Sequence, residues 1–506
     1  MKNKIMGMCI CILLMAPTVS TFISIKNNTI NLTDPKTPQT TMVGNWSEIQ
    51  KLLASDGMVD DDFGGSVALS SGTALIGAKM TDNTTGSAYV FIHSGPTWVQ
   101  QEKLTASDGL MGDYFGCSVA VSGDTAVVGA SGKNWSMGAV YVFFRSGSTW
   151  SQQAKLIASN GADDDRFGCS VAVSGDTILV GSENGYAGNG CVYVFIRSGV
   201  IWSQQAILVA SDGAYNDKFG SAVSLSGDMA VVGAELATTT IANTGAVYVF
   251  GRSGSSWVQQ SKFFALDGKM ADHFGASIAV SVSDLTILVG ADGCQTQTGA
   301  AYVFVYSGTI WVQQEKLLAP GGSPYETFGC SVSLSEGTAL IGAHLANGDK
   351  GAAYVFKRSG SSWTFQTILE ASDCQIGDEF GFSVVMSGDT ALVGAVYGES
   401  GKGCVYVFTK VGVSYKIKGG VGVSLLIWNN GSIAQTVPWW ISVSGGMFQG
   451  INKTNSGIVD IPAGKSKLVG TGLFFGLGPI TIISDVAGQN LTKTGQQLLI
   501  FSMVKK

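Results

Sequence analysis

The chain has 506 residues, of which 69 are glycine and 9 are proline, while 10% are aromatic and 13% are charged. Disordered chains need high charge and few aromatic residues, and this charged fraction is about half of the roughly 25% usual in globular proteins, so disorder of the whole chain is excluded. The net charge of −6 and the pI near 5.2 argue against a nucleic-acid-binding protein.

The first 25 residues are predicted to be a secretory signal peptide. Lys2 and Lys4 precede an apolar run from Ile5 to Ala16, which is the pattern of such peptides. A membrane span needs about 20 apolar residues, so the run is short for one, although a retained N-terminal anchor is the alternative. We therefore expect an exported protein, secreted or at the cell surface, with no membrane span in the mature chain.

Residues 26–45 are rich in Thr, Asn and Pro and are predicted to be a linker. In an exported protein, Asn-x-Ser/Thr sequons are candidate glycosylation sites. The alternative is that they reflect only the high content of these residue types. The eight sequons begin at Asn27, Asn31, Asn45, Asn83, Asn134, Asn430, Asn452 and Asn490.

A repeat of about 50 residues dominates the chain from residue 46 onward. Each of seven copies has a tryptophan, which we interpret as a packing residue rather than a sugar-binding platform, a Phe-Gly pair and a Tyr-Val-Phe segment. The Phe-Gly pairs begin at Phe63, Phe115, Phe167, Phe219, Phe274, Phe328 and Phe380. The tryptophans are Trp46, Trp98, Trp150, Trp202, Trp257, Trp311 and Trp363.

The second repeat shows four predicted strands. Phe115–Ser122 alternates in polarity, and Gly123-Asp124 forms a two-residue hairpin turn into Thr125–Ala130. The segments AVYVFFR and TWSQQAKLIAS are the third and fourth strands. Four antiparallel strands in each of seven repeats predict an all-β fold, a seven-bladed β-propeller over residues 46–413.

The seventh repeat has only three predicted strands, between Phe380 and Thr409. The missing fourth segment is found at the start of the repeats, in Trp46–Ser55. We predict that this N-terminal strand pairs with the strand around Val405–Phe408 and closes the ring, because closure removes an open sheet edge.

A Phe-Gly pair followed 13 residues later by Gly-Ala, as in Phe63-Gly64 and Gly77-Ala78, resembles FG-GAP repeats. The resemblance covers about residues 46–413 and implies the propeller of integrin α subunits and of many exported microbial proteins. In the integrin version, some blades carry an Asp-x-Asp-x-Asp-Gly calcium loop between the first two strands. Here that connection is a tight turn such as Gly388-Asp389, too short to supply the six to eight oxygens that Ca²⁺ needs. We therefore expect no cofactor and at most weak calcium binding.

Residues 414–506 lack the repeat landmarks. The segments Asn429–Ser432 and Ile461–Ser466 resemble an immunoglobulin-like adhesion module of the CARDB sort, which implies a small β-sandwich. From Tyr415 to Lys506 there are eight Lys and two Asp, so a basic module follows an acidic propeller. Docking or wall contact is one interpretation of this charge, and solvated lysines are the other.

An acidic residue lies two positions before each phenylalanine, in the segment that joins two blades. Such a side chain either caps its own backbone in a turn or contributes to a ring of carboxylates that holds a hard cation. Under the second interpretation the candidate metal ligands are Asp60, Asp61, Asp62, Asp163, Asp164 and Asp165. The three histidines, His93, His273 and His344, share no repeat position and indicate no cluster.

The connections between strands two and three, and between blades, are longer and more variable than the other turns, and in a propeller they emerge on one face. Binding residues concentrate on variable loops of rigid scaffolds. We therefore predict a non-catalytic, monomeric binding or adhesion protein whose ligand is an extracellular protein or glycan. The alternative is a carbohydrate-active or other hydrolytic propeller enzyme with its site at the central channel. The candidate ligand contacts are Glu235, Thr238, Asn243, Lys79 and Asp82.

Overall fold

The computed structural model of the chain describes residues 45–95, 97–239 and 241–411, and beyond these 413–418, 424–429, 435–445, 451–461, 465–470, 476–486, 489–499 and 501–504. The predicted signal peptide, and the linker up to residue 44, lie outside the described residues. The described chain divides into two compact units, Trp46–Thr409 and the residues from Lys410 onward.

The first unit consists of seven four-stranded antiparallel sheets, which are the blades of a propeller. The predicted all-β, seven-bladed architecture is confirmed. Blades 1 to 3 are β2 Ser66–Ser70, β3 Thr73–Ala78, β4 Ser87–Ser94, β5 Thr97–Leu104; β6 Phe115–Ser122, β7 Thr125–Ala130, β8 Ala139–Ser146, β9 Thr149–Leu156; and β10 Ser170–Ser174, β11 Thr177–Ser182, β12 Cys191–Ser198, β13 Ile201–Leu208. Blades 4 to 6 are β14 Phe219–Ser226, β15 Met229–Ala234, β16 Ala246–Ser253, β17 Ser256–Phe263; β18 Ser277–Ser281, β19 Thr286–Ala291, β20 Ala300–Tyr306, β21 Trp311–Leu317; and β22 Val332–Ser335, β23 Thr338–Ala343, β24 Ala352–Ser359, β25 Ser362–Leu369.

Blade 7 contains β26 Phe380–Ser387, β27 Thr390–Ala395 and β28 Cys404–Val411, and its sheet order places β1 Asn45–Leu52 beside β28. Side chains of β1 reach the neighbouring segments of the propeller: Glu48 accepts a hydrogen bond from the Ser372 amide at 2.8 Å, and Lys51 binds Asp373 at 2.9 Å.

The blades form a ring through their first strands. Each first strand contacts the first strand of the next blade, and β26 of blade 7 contacts β2 of blade 1. A serine hydroxyl in the first strand donates to the Phe-Gly glycine carbonyl of the next blade, as Ser66 does to Gly116 at 2.8 Å. The same bond crosses from blade 7 to blade 1, where Ser383 donates to Gly64 at 2.6 Å. The first strands therefore surround the axis of the ring.

The core consists of the second and third strands of each blade together with the Phe-Gly phenylalanines. All six residues of β3 and of β7 are buried, because neighbouring blades cover both faces of each sheet. Phe63 packs edge-on against Tyr89 with ring centroids 5.4 Å apart, and the same pair recurs in the other blades. The tryptophans of the fourth strands are packing residues, since Trp150 is buried and its indole N–H donates to Gln101 of the preceding blade at 2.9 Å.

The glycine before each third strand is required by close contact with the next blade. Gly86 has φ +88°, and a Cβ at this position would lie 2.0 Å from the Phe115 carbonyl oxygen. Only a residue without a side chain adopts this backbone and allows this approach.

The described strands of the second unit form two sheets. Strands β29 Val413–Lys418, β30 Ser424–Asn429 and β33 Ser466–Gly470 form one, and β31 Gln435–Gly445, β32 Ile451–Ile461, β34 Gly476–Val486, β35 Gln489–Leu499 and β36 Phe501–Val504 form the other. Within the part of the chain that the structure describes, no helix has the length and hydropathy of a membrane span.

Candidate binding face

The strand connections divide between two faces of the propeller. We call the surface formed by the loops between strands two and three and by the blade-joining segments the loop face, and the opposite surface the turn face. On the loop face the two kinds of segment bind each other, since Tyr114 N–H donates to the Thr84 carbonyl and Phe115 N–H to the Thr85 carbonyl, both at 3.0 Å. The turn face carries short connections that differ little between blades.

Five of the loops contain a four-residue helical turn, and these turns are strained. The turns are α1 Thr81–Thr84, α2 Lys133–Ser136, α3 Cys294–Gln297, α4 Ala346–Asp349 and α5 Gly398–Gly401. In α1 the residues Asp82, Asn83 and Thr84 have φ values of 51°, 55° and 66°, in the left-handed region. A left-handed conformation costs an L-residue roughly 1–2 kcal/mol, so these loops persist because the contacts around them hold them.

In five blades an aspartate of the blade-joining segment accepts hydrogen bonds from a tyrosine and a lysine, and this network fixes the segment on the loop face. Asp56 accepts the Tyr89 hydroxyl at 2.9 Å and the Lys103 ammonium at 2.7 Å, and it lies 33 residues before that tyrosine. In blade 3 the aspartate is replaced by Asn160 and the lysine by Ile207, so both charges are absent together. The other four networks centre on Asp108, Asp212, Asp267 and Asp373.

The acidic residue two positions before each phenylalanine caps a turn in six blades. Asp61 accepts the Met58 amide at 2.6 Å and Asp165 the Ala162 amide at 2.8 Å. Equivalent bonds join Asp113 to Leu110, Asp217 to Ala214, Asp272 to Lys269 and Asp378 to Gln375. In the remaining blade the residue is Glu326, whose buried Oε2 has no hydrogen-bond partner among the described residues.

The six candidate metal ligands have different surroundings. Asp61 and Asp165 are caps, and Asp62 binds Lys79 at 3.3 Å. Asp60, Asp163 and Asp164 are exposed. Among the residues that the structure describes, no three or more His, Cys, Asp or Glu side chains are grouped so as to hold a metal ion.

The polar residues that differ most between blades lie at the inner rim, which we define as the residue directly before each Phe-Gly pair and the residue directly after each second strand. The two positions bind each other within a blade: His273 Nδ1 lies 3.1 Å from Asp292 Oδ1, and Thr327 Oγ1 lies 3.0 Å from His344 Nδ1. Arg166 and Glu183 form another such pair. The rim consists of Asp62, Tyr114, Arg166, Lys218, His273, Thr327 and Glu379, with Lys79, Ser131, Glu183, Glu235, Asp292, His344 and Val396.

The rim of blades 3 to 5, which we call the charged sector, carries the carboxylates Glu183, Glu235 and Asp292 together with the cations Arg166 and Lys218. Burial raises the pKa of Glu235, and the charges of Glu183 and Asp292 raise it further, while His273 and Lys218 oppose them. The hydrogen bond to Asp292 raises the pKa of His273. Burial lowers the pKa of His344, although the charge of Asp292 opposes this. Asp292 thus affects the pKa of both His273 and His344. The sequence did not indicate this, because the two histidines occupy different repeat positions.

A cavity of about 490 Å³ opens at the rim of blades 1 to 3. It is lined by Lys79, Met80, Tyr114, Cys117, Ser131, Arg166 and Cys169. The rim residues therefore differ in charge from blade to blade, with the ion pairs Lys79–Asp62 and Arg166–Glu183 near the cavity and carboxylates at Glu235 and Asp292, whereas the strands are uniform.

The candidate ligand contacts all belong to segments of the loop face but lie in two groups. Glu235 and Lys79 are half-buried residues of the inner rim. Thr238 and Asn243 are exposed in the longer loop of blade 4, and the exposed Asp82 binds Lys103 at 3.2 Å. This loop is anchored from within, because Ala237 is fully buried and its amide donates to the Ala234 carbonyl.

Two residues of α2 are special to blade 2. Lys133 is 3% exposed and binds Asp113, which is equally buried, at 2.7 Å. Trp135 is 86% exposed in a left-handed conformation with φ 59°. An aligned set of the seven loops would have shown both as departures from the repeat.

Comparison with protein-family models matches the model described as FG-GAP repeat to residues 46–91, 98–143, 150–195, 202–250, 257–304, 311–356 and 363–408, together more than half of the chain. Comparison with curated proteins finds no match. Among solved structures, the Kuenenia stuttgartiensis hydrazine synthase is similar with a TM-score of 0.48 and 11% sequence identity, over 71% of this chain and 99% of that chain. This likeness carries no argument about function.

Proposed function

The chain belongs to the FG-GAP repeat family, and from that membership we propose that it is a non-catalytic binding or adhesion protein that recognises an extracellular protein or glycan through its loop face. The signal-peptide pattern supports export to the cell surface or the medium. The proposal includes a monomeric protein without a cofactor.

One observation carries this proposal: the departures from the repeat are concentrated on the loop face. The turn face has short connections in every blade, with Gly-Asp between the first two strands of four of them and the longer Val282–Leu285 turn in blade 5 as the main exception, whereas the rim and the loops change charge, size and polarity. A rigid ring that varies on one face has the arrangement of a scaffold that presents binding loops.

We also propose that β1 closes the ring and that residues 414–506 form an immunoglobulin-like β-sandwich. The position of β1 beside β28 and the contacts of Glu48 and Lys51 with the segment before blade 7 support the first statement. The two separate sheets of the C-terminal unit support the second.

The loop face is tested by exchange of one loop. The wild-type protein is screened on glycan and protein arrays, and a variant in which Ser131–Met137 replaces Glu235–Thr244 is measured on each hit. We expect unchanged melting and weaker binding. The matched control alters the turn-face connections Gly123-Asp124 and Gly175-Asp176. Loss of binding in this control, together with full binding by the loop variant, would contradict the proposal.

One observation favours a second function, hydrolysis at the central channel. A histidine held by a carboxylate, as His273 is by Asp292, has the arrangement of a general base, and Glu235 lies in the same charged sector. The test is turnover of nitrophenyl glycosides and esters by the wild-type protein and by His273→Ala. Turnover that is lost in His273→Ala would favour an enzyme over a binding protein.

A further inference from the structure

The loop face carries a ring of exposed apolar side chains at one repeat position. Four residues before the Phe-Gly pair, five of the seven blades have a large apolar residue, and the other two have Asp163 and Pro324. We call the five residues the apolar crown. They are Val59, Met111, Tyr215, Met270 and Ile376, with exposed fractions of 59%, 78%, 80%, 69% and 75%. Single exposed apolar residues are ordinary, but their recurrence on one face marks an interaction surface.

The crown is held in position by the aspartate caps. In blade 2 the Asp113 side chain accepts the Leu110 amide at 2.7 Å, and Met111 lies in the turn that this bond closes. The equivalent bond from Ala214 to Asp217 closes the turn of Tyr215. A side chain presented from a fixed turn loses less conformational entropy when it is bound.

Trp135 extends the crown where its own position is polar. In blade 3 the crown position is Asp163, and the amide of the next residue, Asp164, donates to the Trp135 carbonyl at 3.1 Å. The strained α2 turn therefore presents an exposed indole beside the turn that lacks an apolar side chain. Trp135 of blade 2 thus supplies an exposed apolar side chain next to the polar crown position of blade 3.

The propeller that carries the crown has a negative net charge. Residues 46–409 contain 33 Asp and Glu against 17 Lys and Arg, a net charge of −16. Asp60, Asp163 and Asp164 are exposed, and within the described chain none of them forms an ion pair. A surface of this kind attracts a partner that is both apolar and positively charged.

We propose that the apolar crown binds a polypeptide segment rich in Lys or Arg and in large apolar side chains. This statement rests on the proposed function and selects a protein over a glycan. Four of the five crown residues are aliphatic or methionine and offer no ring on which a sugar stacks, which leaves only Tyr215 and the neighbouring Trp135 as aromatic contacts of the crown. The carboxylates repel anionic membrane surfaces, and methionine adapts its shape to varied apolar partners.

The test uses three synthetic 18-residue peptides and the full chain. The probe is an amphipathic peptide of Lys and Leu, and its controls replace Lys by Glu or Leu by Gln. We expect the wild-type protein to bind the Lys/Leu peptide alone, with an affinity that falls as salt rises. The variant Met111→Ser/Met270→Ser/Ile376→Ser should bind it at least tenfold more weakly, and Asp163→Asn/Asp164→Asn should reduce the salt dependence.

The turn face offers a matched control variant. Val200, Ile201 and Ile310 have exposed fractions of 71%, 68% and 61%, and Val200→Ser/Ile201→Ser/Ile310→Ser should leave binding unchanged. Equal loss in both triple variants, or binding of the Glu/Leu peptide, would overturn the proposal. If the triple variant fails to fold, the single variant Met111→Gln is used in its place and should also bind the Lys/Leu peptide more weakly than the wild-type protein. If a glycan binds through the Glu235–Thr244 loop and no peptide binds, the proposal for the apolar crown is wrong while the proposed function stands.

Discussion

Gly86 shows how a single residue fits one blade to the next. Its φ is positive, and a Cβ on it would lie only 2.0 Å from the Phe115 carbonyl oxygen, so there is no room for a side chain. By contrast, Gly95 has φ +63° and nothing within 4 Å of its Cβ position. Substitution of Gly95 therefore adds backbone strain alone, whereas substitution of Gly86 adds the same kind of strain and a clash with the next blade.

We expect Gly86→Ala to destabilise the propeller by about 3 kcal/mol or more, and Gly95→Ala by about 1 kcal/mol, because only the first adds a backbone clash to the strain. Chemical denaturation of both variants measures the difference. Equal losses would show that the contact with the next blade contributes nothing.

A second residue-scale prediction concerns the Tyr248–Asp212–Lys262 network. Burial alone would raise the pKa of Asp212, but hydrogen bonds from Lys262 and Tyr248 lower it. Lys262→Ile should cost about 0.5–1 kcal/mol at neutral pH, because both charged groups are partly exposed. The double variant Asp212→Asn/Lys262→Ile reproduces the blade 3 pair and should recover part of this loss.

The pH dependence of this network follows from the lowered pKa. A carboxylate that is more acidic when folded stabilises the protein above its unfolded pKa, and this contribution disappears as the pH falls through the folded pKa. The stability difference between wild type and Lys262→Ile should therefore shrink below about pH 4. A difference that stays constant down to about pH 2 would contradict the ion pair.

The acidic runs allow a direct calcium test. Asp61 and Asp165 are used as caps and Asp62 binds Lys79, which among the described residues leaves one free carboxylate in the first run and two in the second, fewer oxygens than the six to eight that Ca²⁺ takes. We expect calorimetric titration with Ca²⁺ to show at most weak binding. Several tight sites, one of them lost in Asp163→Asn/Asp164→Asn, would show instead that the blade-joining segments are cation sites.

At the scale of elements, β1 is the strand whose partner is most distant in the sequence. Leu52 is buried, so removal of Trp46–Ala54 should cost about 2–3 kcal/mol from this side chain alone, and more from the opened edge of β28. We expect a sharply lower melting temperature. Removal of residues 26–44 is the control and should leave melting unchanged, while unchanged melting in the first variant would refute closure.

The repeat made the strands predictable, but it concealed the residues that make the blades different. Phe115–Ser122 and Thr125–Ala130 are strands with the predicted bounds, because alternation and a two-residue turn are local signals. Alignment of the loops marks Lys133 and Trp135 as departures from the repeat, but the Lys133–Asp113 and His273–Asp292 pairs were not predictable from the sequence, because each partner lies about 20 residues away on another segment. Such contacts depend on the ring, and spacing alone does not report them.

For the whole molecule we predict two independently folded units. The contact pattern separates Trp46–Thr409 from the residues after it. Limited proteolysis should cut near Val411–Tyr415 and leave two resistant fragments, which mass spectrometry identifies. A single indivisible core would contradict this division.

The position of β1 beside β28 also sets the order of events during synthesis. Lys51 and Glu399 are in contact although 348 residues separate them. At roughly 5–20 residues per second, β1 waits roughly 20 to 70 seconds for its partner strand. Its polar side chains Ser47, Glu48 and Gln50 make it a poor template for aggregation in that interval. A chain that stops before Val405 retains an unpaired first strand, so under the proposed closure the ring can be sealed only once β28 has been synthesised.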